Sequence, residues 1–272
     1  MSQADPKSFD RYFNIAERGA ARGNHRFYVN YLFDGIDFRG KRMLDVGGGD
    51  GMMSFYAACA GAAEVICLEP ESAGSATGMN AAFQRTSSLL GQAKVQLLPD
   101  RLHDFQASDS SFDIILLHAS INHLDEDACI RLPRDSEAQS SYEQLFGKLA
   151  SLARPGAMLL VVDCAQRNLF GDLNIANPFA PMIEWHKHQS PKLWARLLAQ
   201  AGFVNPTIRW NSFNTLRSFG RLFLGNPIAA YCLTSVFCLT MERQRDGVIA
   251  PSATYNPLRH SASNCGPDAT LM

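Results

Sequence analysis

Residues 43–51 read Met-Leu-Asp-Val-Gly-Gly-Gly-Asp-Gly. An apolar run ends in an acid, crosses three glycines and meets a second acid before a fourth glycine. Glycines at such a place let the backbone turn sharply and let a ligand come close to it. The acids Asp45 and Asp50 decide what kind of ligand that is. A dinucleotide loop needs the spacing G-x-G-x-x-G, and counted from Gly47 the last glycine falls on Met52. Two carboxylates beside the loop would also repel a pyrophosphate. A nucleotide-dependent oxidoreductase is therefore disfavoured, and a cationic ligand suits Asp45, Gly47, Gly48 and Gly49. An ordinary tight turn is the competing reading. It loses ground because ligands of open α/β sheets bind at the carboxyl ends of strands.

About 20 residues further on, Glu69-Pro70 closes the apolar run Val-Ile-Cys-Leu. An acid at that distance, at the end of a second strand, is placed to accept hydrogen bonds from ribose hydroxyls. Histidines supply the remaining candidates. His118 and His123 follow the apolar Phe-Asp-Ile-Ile-Leu-Leu, and His186 and His188 lie in Glu-Trp-His-Lys-His-Gln at 184–189. An imidazole titrates near neutrality and suits proton removal. His123 and His186 are the predicted base and acceptor-orienting pair, against the plainer reading that these rings bond backbone and hold loops. Two histidines and an acid fall short of a four-ligand metal site, so no metal is predicted.

These residues need strands that end side by side. Apolar segments at 42–46, 64–68, 94–98, 112–117 and 157–163 read as strands. Residues 52–60, 75–90 and 141–153 read as the helices between them. That alternation predicts a parallel sheet with helices on both faces. Residues 1–40 form a predicted helical cap, residues 41–165 a cofactor-binding half and residues 166–245 a substrate-side half. Within the last, 167–189 reads as an extended connection, and Ser190-Pro191 opens a helix to Gly202. Residues 204–210 and 229–241 read as late strands. The amphipathic 214–225 reads first as a helix packing on the sheet, with a lid helix or a membrane-surface helix as the alternatives. Residues 246–272 are expected to form a disordered tail.

Four segments in register, D-V-G-G-G-D-G at 45–51, L-E-P-E at 68–71, S-F-D-I-I-L-L-H-A-S-I-N-H-L at 111–124 and R-P-G-A-M-L-L-V-V-D at 154–163, resemble the class I S-adenosylmethionine-dependent methyltransferase family. The resemblance implies a Rossmann-like, doubly wound, seven-stranded sheet with an antiparallel final strand. It implies S-adenosylmethionine as cofactor, whose ammonium and sulfonium match the acidic loop. It puts Asp45 near the amino-acid end of the cofactor, Gly47, Gly48 and Gly49 against it, and Glu69 and Pro70 beside the ribose. His118 becomes a wall of the cofactor pocket. Many relatives read G-D-A-x-x-L where this chain has Asp100-Arg101-Leu102-His103-Asp104-Phe105. Arg101 thus replaces the acid that holds adenine, leaving Asp100 or the Leu102 N–H for that contact. The family's N/D-P-P-Y/F motif for planar nitrogens is replaced by His118-Ala119-Ser120-Ile121.

The chain has 272 residues and a formal net charge of -1, with no basic excess to favour nucleic acid. Its 7 cysteines show no CxxC spacing and read as thiols of a reducing compartment. No signal-like apolar core opens the chain, and the run at 228–241 is too short to span a bilayer, so a cytoplasmic protein is expected. The expected activity is methylation of a small molecule or glycan, on oxygen. Methylation of nitrogen or carbon, and a cofactor-binding scaffold without turnover, are the rivals.

Overall fold

The structure, a computed structural model, describes residues 6–17, 24–71, 77–211 and 213–245. The predicted tail at 246–272 and the predicted start of a helix at 75 lie outside these residues. Seven strands run β1 (Arg42–Val46), β2 (Glu64–Leu68), β3 (Val95–Leu98), β4 (Phe112–His118), β5 (Ala153–Cys164), β6 (Phe203–Trp210) and β7 (Val236–Arg243). They form one sheet in the order β3-β2-β1-β4-β5-β7-β6. Only β7 runs against the others. The order reverses direction between β1 and β4, and in such sheets that switch point is where ligands bind.

Alternation along each strand explains why the segments are apolar throughout. Leu44, Val46, Ile115 and Leu117 face one cluster; Met43, Ile114 and Leu116 face the other. Both faces are therefore buried. On the first face lie α5 (Glu126–Arg131), α6 (Ser136–Leu152) and α8 (Pro191–Gln200). On the second lie α1 (Pro6–Ala16), α2 (His25–Leu32), α3 (Met52–Cys59) and α4 (Met79–Leu90). The N-terminal cap is held by polar contacts as well. Arg209 on β6 donates to the carbonyls of Tyr31 and Leu32 at 3.0 Å, closing the end of α2.

Helix starts follow side-chain caps. Ser190 accepts from Leu193 N–H with Pro191 at the first turn, as predicted. Asp135 caps α6 five residues earlier than the periodicity indicates, and Asp125 caps the unforeseen α5. Residues 229–241 are not one strand. Asn226 accepts from Ile228 and Ala229 N–H and starts α10 (Pro227–Cys232), so β7 begins only at Val236. The connection at 167–189 contains the short α7 (Leu169–Asp172) and a 3-10 turn at Trp185–Lys187. Residues 214–225 form a 3-10 turn (Asn214–Leu216) and α9 (Arg217–Leu224). This helix does not lay its apolar side on the sheet: Phe219, Leu222 and Phe223 are exposed, while Arg221 pairs with Asp34 at the surface and lies over the Tyr31 ring.

Candidate active site

The carboxyl ends of β1, β2 and β4 meet at the glycine loop. Gly47 and Gly48 donate their N–H groups to the Leu68 carbonyl at 2.8 and 3.1 Å, which folds the loop over the end of β2. Gly47 has φ 69° and Gly51 φ 76°, and a Cβ at Gly51 would strike the Phe83 ring. These glycines are therefore dictated by backbone conformation and packing. Gly49 differs. Its Cβ would meet only Met79 Sδ at 3.7 Å, so this side of the loop faces open space.

That space is a cavity of about 970 Å³, the larger of the two that meet at Gly47, lined by Gly47, Gly49, Glu69, Pro70, Asp100, Arg101, Leu102 and His123 among others. Glu69 is buried at its wall. Its carboxylate accepts from Gly49 N–H at 2.9 Å and from Glu71 N–H at 2.9 Å. Two accepted bonds leave a carboxylate with further acceptor capacity toward the cavity. The smaller cavity, about 310 Å³, shares Gly47 and is lined by Asp45, Gly48, Asp50, Met52, Met53, His118, His25, Tyr28 and Asn214. Ser120 helps to fix the wall between them by donating its hydroxyl to the Val46 carbonyl at 2.6 Å.

Asp45 is buried, with Ser54 donating to its Oδ2 at 2.7 Å and no partner for Oδ1. Burial pushes its carboxyl up to about 7, Ser54 works against this, and Asp50 and Glu69 add to it. Such a group is under-satisfied, and a cation beside it would restore its charge. The residues present therefore fit S-adenosylmethionine: acids for a cationic end at one cavity, a buried carboxylate and open glycine loop for adenosine at the other.

Of the residues singled out in the sequence, Asp45, Gly47, Gly48, Gly49, Glu69, Pro70, Asp100, Arg101, Leu102, His118 and His123 all line one cavity or the other. His186 does not. It is exposed on the Trp185–Lys187 turn. Its neighbour His188 turns inward instead, with Nδ1 3.0 Å from Oδ1 of the buried Asp163. His123 is already engaged. Its Nδ1 donates to Glu126 at 2.9 Å, and Asn122 Nδ2 lies 3.4 Å from Nε2. Lys187 joins Glu126 to Glu184 at 2.8 Å each and holds Glu126 below the usual carboxylate range. Among the described residues no group of three or more His, Cys, Asp or Glu is placed to hold a metal.

The sequence reading missed Tyr28 and its surroundings. The Tyr28 hydroxyl meets His118 Nε2 across the smaller cavity. Burial lowers the His118 pKa and raises that of Tyr28, so both are neutral at physiological pH. Next to them Tyr12 donates to the Met52 carbonyl at 3.0 Å and meets His25 Nε2 at 2.6 Å. The only sequence signal was polar atoms at i, i+3 in the predicted cap helix.

A seven-stranded sheet with an antiparallel seventh strand, and a glycine loop flanked by acids at its switch point, define a class I S-adenosylmethionine-dependent methyltransferase. The chain belongs to the family described as "Methyltransferase domain", whose model matches residues 17–208. It is an enzyme of this family with S-adenosylmethionine as cofactor. No curated protein matches it. Among solved structures it is similar to a putative S-adenosylmethionine-dependent methyltransferase from Listeria monocytogenes. The TM-score is 0.56 at 12% identity, over 84% of this chain and 100% of that one. It is also similar to a putative sarcosine dimethylglycine methyltransferase from Galdieria sulphuraria, with TM-score 0.53 at 15% identity, over 84% and 87% of the two chains. A third is phosphoethanolamine N-methyltransferase 2 from Haemonchus contortus, in complex with phosphomonomethylethanolamine and S-adenosylhomocysteine. There the TM-score is 0.55 at 13% identity, over 81% of this chain and 53% of that one. Another neighbour is the [4+2]-cyclase SpnF, so the fold alone does not select an acceptor.

Proposed function

We propose that the enzyme methylates a hydroxyl oxygen of a small-molecule acceptor held in the smaller cavity, with Tyr28 and His118 removing the proton. The cavity itself carries the reading. At about 310 Å³ it suits a small acceptor better than an extended glycan. Among the described residues no Lys or Arg lines it, which disfavours a phosphate-bearing acceptor. The cofactor supplies a methyl group already activated by its sulfonium. The chain has to position the acceptor and take up one proton. The acceptor hydroxyl gives its proton to Tyr28 Oη as the phenol proton passes to His118 Nε2. The acceptor oxygen keeps the electron pair for the new bond to carbon, and His118 ends as imidazolium. A lowered imidazole pKa keeps His118 neutral and ready to accept. Asp45 and Asp50 hold the cationic amino-acid end, and Glu69 the ribose. His123, with both ring nitrogens engaged, serves the wall of the adenosine cavity rather than the proton.

The test is transfer of a labelled methyl from S-adenosylmethionine to the small-molecule fraction of a cell extract. Wild type should label a base-stable product. His118→Ala and Tyr28→Phe should each lower that labelling about 10²-fold or more while binding S-adenosylhomocysteine as wild type does. Full labelling by both variants would rule the relay out. Cofactor binding without labelling of any fraction would favour a non-catalytic scaffold.

A further inference from the structure

A second surface stands apart from these cavities. Among the described residues, nine of the eleven exposed large hydrophobic ones fall between Leu173 and Ile228. On α9, Phe219, Leu222 and Phe223 are 62%, 76% and 57% exposed, and Ile228 at the start of α10 is 76% exposed. The spacing i, i+3, i+4 puts the first three on one helix face. Its Arg221 lies off that stripe, pairing at the surface with Asp34 at 3.1 Å and lying over the Tyr31 ring at 4.9 Å, while the apolar stripe faces outward. The Phe179 ring packs on Phe213 at 5.2 Å, and Tyr231 on α10 donates to Asp172. The exposed Leu173, Ile175, Phe179 and Met182 of the 167–189 connection therefore border the same face.

Charge narrows the choice of occupant. Residues 185–241 contain no Asp or Glu and six Lys or Arg. The acids that border the face are engaged: Asp34 with Arg221, Asp172 with Arg167, Glu184 with Lys187. Arg217 at the start of α9 is exposed. Exposed apolar side chains on one helix face, with the cation Arg217 beside them and the bordering acids compensated, match an anionic lipid surface. A groove for a peptide would be concave, and a partner helix would need a stripe longer than two turns.

We infer that α9 and the start of α10 form a membrane-surface docking face that rests on an anionic bilayer, with Phe219, Leu222, Phe223 and Ile228 entering the headgroup layer. Asn214, which lines the smaller cavity, opens the 3-10 turn that leads into α9. Docking thus holds one wall of the acceptor cavity at the interface. The inference rests on the surface and not on the proton relay, so either can fail alone.

The experiment is co-sedimentation of the full chain with phosphatidylcholine vesicles and with vesicles that also contain phosphatidylglycerol. Wild type should sediment with the anionic vesicles and weakly or not at all with the neutral ones. The combined Phe219→Ser, Leu222→Ser, Phe223→Ser variant should lose binding by about tenfold or more, with an unchanged circular dichroism spectrum and unchanged affinity for S-adenosylhomocysteine. Should that variant misfold, Leu222→Ser alone, at the most exposed position of α9, should still weaken binding measurably. Arg217→Glu should weaken it on anionic vesicles alone. Wild type that ignores both vesicles, or Leu222→Ser that binds like wild type, would overturn the inference. So would a wild-type dimer that the serine variants dissociate, since a second copy would then cover the face.

Discussion

Replacing Asp45 by Asn should make the enzyme more stable and bind its cofactor less tightly, and both effects should depend on pH. The free protein holds a carboxyl that burial has raised from 3.8 to about 7. That is a shift of about 3 units, and at about 1.36 kcal/mol each it amounts to roughly 4 kcal/mol. The folded chain keeps a proton that the unfolded chain has already released between about pH 4 and pH 7. The stability contributed by protonated Asp45 is therefore complete below about pH 4 and is lost as pH rises through about 7. Asn stays neutral throughout. In the absence of cofactor, the variant's advantage should be small below about pH 4, reach about 1.5 kcal/mol at pH 5 and grow to roughly 4 kcal/mol at pH 8.5. For a domain of this size that is several degrees of melting temperature. Binding should move the other way. A cationic amino-acid end favours the ionised carboxylate, so cofactor binding near pH 7 should release a proton, visible by calorimetry in buffers of different ionisation heat. Asp45→Asn should abolish that release and weaken affinity about tenfold or more at pH 8. An advantage equal at pH 5 and pH 8.5, or wild-type affinity at pH 8, would refute the reasoning.

Two further outcomes check other parts of the structure. Glu69→Gln should lower cofactor affinity about tenfold or more, because charged hydrogen bonds are each worth about 1.5–3 kcal/mol; calorimetry that finds wild-type affinity would remove Glu69 from the site. Asn226→Ala deletes the cap that accepts from Ile228 and Ala229 N–H; urea unfolding should show a loss of about 1 kcal/mol, and an unchanged midpoint would mean that α10 adds nothing to stability.

The central strands were legible because each is buried on both faces, so five short apolar runs had no competing helical period to hide in. The loop acids and glycines were legible for a related reason. They are consecutive in the chain, and a strand end, a sharp turn and a helix start are all local events. Residues 229–241 failed because their hydrophobicity is continuous. The decisive residue was Asn226, a cap lying outside the run, with Pro227 repeating the signal read correctly at Ser190-Pro191. The 214–225 segment failed differently. Its period is helical, as read, but periodicity does not say which side meets the protein, and here Arg221 is the side chain that reaches Asp34 and the Tyr31 ring of the cap.

The histidines of 184–189 show where reading along the chain runs out. His186 and His188 are separated by one residue on a tight turn, and the turn sends one to solvent and the other to Asp163. Nothing in the local sequence distinguishes them, because the distinguishing group is a buried acid at the end of β5. Tyr28 lies 90 positions from His118, and only the packing of the cap against α3 and the Arg209 bonds to the end of α2 bring the two together. The proposed cofactor half of the site therefore comes from successive strand ends between residues 45 and 102, at spacings that family motifs describe. The proposed acceptor half is assembled from α2, β4 and the turn before α9, three segments with no fixed spacing between them. Acceptor choice should then be altered by changes in the cap and in Asn214 that leave the glycine loop and cofactor affinity untouched. A cap substitution such as Tyr28→Phe that changed cofactor affinity as much as turnover would contradict that division.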